Sequence, residues 1–137
     1  MLKSNTNNTL ITALYCRHSQ EDMRSGESLS IENQRLMLIE YAEKNGFKNI
    51  KLYIDDGFSG TDNTRPAYVE MLEDVKNWLV STVIVKDQSR LGRDHLETDR
   101  LMELIFPAYD VRFIAITDGV DSANGFNEMS EIGRAHV

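Results

Sequence analysis

Two short segments of this chain carry residues whose chemistry suits a phosphodiester. The apolar Leu14, Tyr15 and Cys16 run into Arg17, His18 and Ser19, and the apolar Val83, Ile84 and Val85 are followed by Ser89, Arg90, Leu91, Gly92, Arg93 and Asp94. A hydroxyl beside one arginine, with two more arginines three residues apart, pairs a nucleophile with cations that grip phosphate oxygens bidentately. If Arg90 and Arg93 open a helix, they share a face at i, i+3 and sit at the positive end of the helix dipole, where like charges repel. An anion held between them relieves that conflict, and a helix N-terminus already favours phosphate. The competing account is a solvated pair balanced by Asp87, Asp94 or Glu97.

Ser19 alone reads as a turn or cap residue, since an unaided hydroxyl is a poor nucleophile. Arg17, two residues earlier, points to the same side of a continuing strand and could hold a phosphate oxygen against it. His18, between them, should face away and pack. A cysteine-phosphatase loop starting at Cys16 would need an arginine six residues on, where Asp22 stands. No Gly-rich phosphate loop or dinucleotide fingerprint occurs.

Positioning these groups requires a scaffold, and 137 residues suffice for one domain with a single core. The net charge of -7, from 15 basic and 22 acidic residues, argues against a domain that binds DNA by blanket phosphate neutralisation. Either a few placed arginines touch the nucleic acid or another region carries the affinity. Cys16 is the only cysteine, so no internal disulfide forms and a cytoplasmic setting is expected. One cysteine with His18, His95 and His136 does not make a zinc ligand set. Met1 to Asn8 is too polar for a secretory signal, and no stretch approaches the ~18 apolar residues of a membrane span.

The apolar run Thr12 to Cys16 predicts a buried strand, followed by a loop from Gln20 to Gly26. Ser30 is expected to cap a helix from Ile31 to about Asn45, with Ile31, Leu38, Tyr41 and Ala42 on one face and Gly46 as its stop. Ile50 to Ile54 predicts a second strand ended by the turn-rich Asp55 to Gly60. Pro66 suits the first position of a helix whose face is Tyr68, Met71, Leu72, Val75, Trp78 and Leu79. Thr82 to Val85 is the third strand. A helix from about Arg90 to Phe106 then meets Pro107, and Val111 to Ile116 is the fourth strand, with only polar residues and turns after it.

This alternation predicts an α/β fold, a mostly parallel sheet of four to five strands with helices on both faces. Ligands of such sheets gather beyond the carboxyl ends of the strands. Ser19 and Arg90 both fall just past strand ends, so the coarse fold brings them near each other without any further premise.

Five motifs in order extend these observations: Tyr15 to Ser19, Ser30 to Gln34, Asp55 to Gly60, Arg65-Pro66, and Val85 to Asp94. Together they resemble the catalytic domain of serine recombinases (resolvases and invertases). Val111 to Ile116 and Gly119 to Ser122 look like the large, transposon-borne branch. The resemblance covers roughly residues 10 to 130. It implies that Ser19 is the nucleophile that becomes joined to a 5′ DNA phosphate, releasing a 3′ hydroxyl. It implies that Arg17, Arg65, Arg90 and Arg93 surround that phosphate, with Gln34 and Asp94 in support.

Site-specific recombination of double-stranded DNA is the implied activity, without metal or cofactor. A homo-oligomer, dimer to tetramer, is implied for the full-length protein, with no membrane partner. His18, Gln88 and Ser89 depart from the residues commonest in the family without removing a catalytic group. Residues 1–9 are expected to be a disordered tail and 10–131 the catalytic domain, cut short before the family's long C-terminal helix. Residues 132–137 read as a non-native tail, and the fragment alone is expected to be inactive because that long helix and the DNA-binding region after it are missing. The alternatives from other classes are an inactive truncated remnant and a phospho-ligand-binding α/β domain.

Overall fold

The computed structural model describes residues 10–18, 30–55, 65–91 and 95–124. Five strands form one sheet in the order β2-β1-β3-β4-β5: β1 Ile11–Arg17, β2 Ile50–Asp55, β3 Val80–Val85, β4 Arg112–Ala115 and β5 Val120–Asp121. The first four are parallel, and β5 returns antiparallel to β4. The expected α/β sheet is therefore present, at the upper end of the expected strand count.

Alternation along the strands sends side chains to two cores. Ala13, Tyr15, Tyr53, Val83, Val85, Phe113 and Ala115 meet Tyr68, Met71 and Val75 of helix α2 (Pro66–Lys76), together with Leu101 and Phe106. On the opposite face Leu14, Cys16, Ile84 and Ile114 pack on Leu38 and Ala42 of helix α1 (Ser30–Lys44). Helices thus cover both faces, as the strand–helix alternation requires.

Helix α1 starts one residue earlier than expected, with Ser30 already helical. It stops at Gly46 (φ 76°), where Phe47 N donates to Ala42 O at 2.9 Å and Gly46 N to Glu43 O at 3.3 Å. This is the paired closure a left-handed residue allows. Helix α2 has Pro66 in its first turn as expected but ends at Lys76, so Trp78 and Leu79 do not extend its buried face. They are 58% and 46% exposed. Trp78 is itself the left-handed residue (φ 62°) of the same closure, with Leu79 N donating to Asp74 O at 3.0 Å.

The long helix expected from Arg90 is broken up. Gln88–Arg90 forms a 3₁₀ turn, and α3 (His95–Arg100) leads into a π-helical turn, Leu101–Ile105, and a last helical turn, Phe106–Ala108. Pro107 lies inside that last turn rather than stopping the helix before it. A proline offers no N–H to the preceding carbonyls, and a π turn is one way to carry a helix past such a gap while keeping Leu101 and Phe106 buried.

After β4 the chain does more than turn. Gly119 (φ 69°) reverses it into β5, and Arg112 holds Asp121 through two bonds of 2.9 and 2.8 Å.

Candidate functional site

The parallel strands β1, β2 and β3 end together, with Arg17 at the end of β1 opposite Asp55 at the end of β2. The 3₁₀ turn Gln88–Arg90 follows three residues after β3. Asp87 caps that turn, its Oδ1 accepting Ser89 N at 3.0 Å, while Asp118 Oδ2 accepts Gln88 N at 2.8 Å from the β4–β5 loop. Lys86 O accepts both the backbone N (2.8 Å) and the Oγ1 (2.9 Å) of Thr117. The segment leading to Arg90 is therefore clamped from two sides.

Arg17 and Arg90 are interlocked. Arg17 Nε donates to Arg90 O at 3.0 Å, its Nη2 to Ser89 O, and its Nη1 to His18 O at 3.4 Å. In return Arg90 Nη1 donates to Arg17 O at 2.9 Å, while Arg90 Nε lies 3.7 Å from Asp87 Oδ2. Gln34 completes the clasp. Its Oε1 accepts Arg17 N at 3.2 Å and its Nε2 donates to Arg17 O at 3.0 Å. A side-chain amide thus pairs with both the N–H and the C=O of Arg17, as a residue of a neighbouring strand would. Gln34 is 1% exposed and Arg90 4%, so each polar bond forms where water cannot replace it and its loss is costly.

Arg65 arrives from the other side. It precedes α2 with a left-handed backbone (φ 45°) and provides no side-chain cap for that helix. Asp55 supplies the cap from twelve or more residues away: Oδ1 accepts Ala67 N at 2.9 Å, and Oδ2 accepts Tyr68 N at 3.0 Å and the Tyr15 hydroxyl at 2.8 Å. A carboxylate on the first free N–H groups satisfies orphan donors and complements the helix dipole. The Arg65 guanidinium then lies 3.9 Å over the Tyr68 ring, with Nη1 on Leu91 O at 3.0 Å and Nη2 on the Glu97 carboxylate at 3.1 and 3.3 Å.

Ser89 O, Arg90 O and Leu91 O, three successive carbonyls, each accept from Arg17 or Arg65. Arg17, Arg65 and Arg90 therefore converge on one turn at the carboxyl edge of the sheet. Burial lowers the pKa of Arg17 from its ordinary value, and the charges of Arg65 and Arg90 push the same way. Arginine stays charged under such pressure, so three guanidiniums lie together here, Arg65 paired with Glu97 and Arg90 set 3.7 Å from Asp87. Burial, then the charge of Asp55, drives the Tyr15 phenol well above its usual range, which keeps it a hydrogen-bond donor. Burial pushes the Cys16 thiol up to about 12, leaving it a packing residue rather than a nucleophile.

Of the residues singled out from sequence, Arg17, Arg65, Arg90 and Gln34 come together. Ser19, Arg93 and Asp94 lie outside the described residues. Arg90 does not open an α-helix as expected but ends a short 3₁₀ turn, because Asp87 caps that turn locally. His18 is buried, in keeping with a packing role. Sequence reasoning missed Asp55 as a cap, Tyr15 and Tyr68 as donors, and Glu97 as the partner of Arg65. A signal for Asp55 existed, since a helix opening with Arg65-Pro66 has no capping side chain of its own. Among the described residues no group of histidine, cysteine, aspartate and glutamate could hold a metal, and no helix is long and apolar enough to cross a membrane.

The family model "Resolvase, N terminal domain" matches residues 12–134. A Bacillus subtilis (strain 168) protein named "Putative DNA recombinase" is 40% identical over 81 residues, which are 59% of this chain and 15% of that protein. The chain thus spans a small part of this curated relative's length. The N-terminal catalytic domain of TP901-1 integrase superposes with a TM-score of 0.72 at 29% identity, covering 90% of this chain and 93% of that one. A resolvase family site-specific recombinase from Streptococcus pneumoniae gives 0.69 at 25% identity, covering 90% and 85%.

Proposed function

Because this chain belongs to the resolvase family, through its N-terminal domain, we propose that it is the catalytic domain of a serine-type site-specific DNA recombinase. Ser19 Oγ attacks a backbone phosphorus of double-stranded DNA. A new Oγ–P bond forms to the 5′ phosphate and the P–O3′ bond breaks. The serine gives up its proton, and the departing 3′ oxygen ends as a hydroxyl. Arg17, Arg65, Arg90 and Arg93 stabilise the charge that builds on the phosphoryl oxygens, the task a metal ion performs in many phosphoryl transfers.

The observation that supports this reading is the convergence of Arg17, Arg65 and Arg90 on one turn, beside the strand end that leads into Ser19. Each guanidinium has five N–H donors. The three bonds of Arg17 to carbonyls leave it donors for a phosphate while holding its plane still. Gln34 and Arg90 fix the peptide of Arg17 two residues before the nucleophile, so an attacking hydroxyl would start from a set direction. Asp94 takes a supporting role, and the working protein is a dimer to tetramer.

The test is covalent capture. Intact protein incubated with DNA containing its recombination site, then denatured, yields a protein–DNA adduct mapped to Ser19 by mass spectrometry. Ser19→Ala binds the same DNA and yields none. An adduct from Ser19→Ala at the wild-type level would refute the assignment, as would a strict magnesium requirement in place of the expected tolerance of EDTA.

A further inference from the structure

Arg65 is restrained on three sides: the Tyr68 ring lies 3.9 Å beneath its guanidinium, Leu91 O holds Nη1, and Glu97 holds Nη2. The Glu97 carboxylate is itself held by a second partner. Its Oε2 accepts the Tyr68 hydroxyl at 2.8 Å, and that same oxygen lies 3.1 Å from Arg65 Nη2. Glu97 sits on α3, just beyond Arg93, whereas Arg65 leads into α2. The Arg65–Glu97 pair therefore joins two of the loops that carry the arginines. The Arg65 side chain is 13% exposed and that of Glu97 32%, so the pair is only partly screened by water and its geometry is held.

We propose that Glu97 is the positioning residue for Arg65: it sets the plane of the guanidinium that faces the reacting phosphate, and Tyr68 holds Glu97 in turn. The proposal rests on the recombinase reading above. Glu97 acts by geometry rather than by charge, because the oxygen bonded to Tyr68 is also the nearer one to Arg65. A neutral amide placing one oxygen there keeps both shorter bonds. A misplaced guanidinium costs rate without costing DNA affinity, since a displacement of roughly 1 Å can reduce turnover ~100-fold.

Single-turnover cleavage of recombination-site DNA by the intact protein tests this. Glu97→Ala should slow cleavage on the order of 10- to 100-fold and leave the DNA Kd within about twofold, since a single guanidinium is a small share of the phosphate contacts. Glu97→Gln should recover most of that loss. Tyr68→Phe, which keeps the ring and so the fold, should slow cleavage in the same direction by less. In an Arg65→Ala background Glu97→Ala should have no further effect, because coupled residues are not additive. A loss of stability alone would instead add to the Arg65 effect.

Cleavage by Glu97→Ala as fast as wild type, acceleration by Glu97→Gln, or full additivity with Arg65→Ala would each overturn the proposal. Wild-type cleavage by Arg65→Ala would strike at the role of Arg65 itself, and a missing Ser19 adduct at the recombinase reading. The three failures are therefore told apart.

Discussion

The two edges of the sheet are closed in different ways. At the amino edge, helices α1 and α2 and the last helical turn end in the same closure around a left-handed residue: Gly46 (φ 76°), Trp78 (φ 62°) and Asp110 (φ 59°). Each is sealed by a long-reach backbone bond, Phe47 N to Ala42 O, Leu79 N to Asp74 O, and Val111 N to Phe106 O, at 2.8–3.0 Å, and at the end of α1 Asn45 Nδ2 adds one side-chain bond to Tyr41 O at 2.8 Å. At the carboxyl edge the strand ends and the turn after β3 are closed by side chains: Arg17, Gln34, Asp55, Arg65 and Arg90 bond backbone groups up to 73 positions away. A backbone closure asks for a conformation and tolerates any side chain that can adopt it. A side-chain closure asks for one residue type, and here it gathers Arg17, Arg65 and Arg90 around one turn. The edge that requires specific residues is the one to which the proposed chemistry is assigned.

The largest test of this contrast is Arg90→Ala. In intact protein it should lower cleavage by on the order of 100-fold or more, as for a lost oxyanion donor, with little change in DNA affinity. Lysine should rescue poorly, because one ammonium cannot reproduce the fork that reaches Arg17 O and Asp87 together. Single-turnover rates beside binding isotherms check this. An equal fall in both would make Arg90 an ordinary backbone contact and dissolve the distinction between the edges.

Asp55→Ala should be the largest stability effect at the carboxyl edge. It leaves Tyr15 Oη, Ala67 N and Tyr68 N without their acceptor, a loss of about 2–4 kcal/mol by urea denaturation. A change below about 0.5 kcal/mol would show that α2 does not need its remote cap.

Alkaline pH sharpens the same point. Tyr15, Tyr53 and Tyr68 all have folded pKa values raised above the ordinary 10, chiefly by burial and then by Asp55, Asp74 and Glu97, and Cys16 is raised to about 12 from 9. A raised folded pKa contributes stability that is whole below the unfolded value and lost as pH climbs through the folded one. The protein should therefore lose stability steadily above pH ~9–10, the range of unfolded cysteine and tyrosine. Denaturation midpoints at pH 8 and pH 10.5 test this, and equal midpoints would contradict it.

The smallest effects belong to the amino edge. Gly46→Ala meets no atom within 4 Å, so its cost is the left-handed backbone alone, about 1 kcal/mol. Asp110→Gly relieves the same conformation and should stabilise by less than about 1 kcal/mol, after the entropy that glycine adds to the unfolded chain. Neither should alter cleavage. An amino-edge substitution that abolished cleavage while leaving Tm unchanged would break the comparison outright.

Much of the fold could be read locally. The apolar runs at Thr12, Ile50, Thr82 and Val111 are strands, give or take a residue or two, and Pro66 and Gly46 mark helix ends by rules that act over one turn. The errors share a cause. Trp78 continues a helical spacing but sits beyond an unsignalled stop, because nothing in its own side chain announces a left-handed backbone. Arg90 follows a strand and precedes helical residues, yet Asp87 caps a shorter turn there. The brief strand β5 is held by its pairing with β4 and by Arg112 on Asp121, neither visible in a two-residue segment.

The alternation of strands and helices and the parallel sheet were decided by sequence, because apolar periodicity and turn chemistry act within a few residues. Tertiary structure alone decided that Gln34 reads the peptide of Arg17, that Arg17 and Arg90 hold each other's carbonyls, and that Asp55 caps a helix beginning eleven residues later. Those bonds join groups that only the folded sheet brings together, and burial is what makes each of them strong enough to set the direction of a charged side chain.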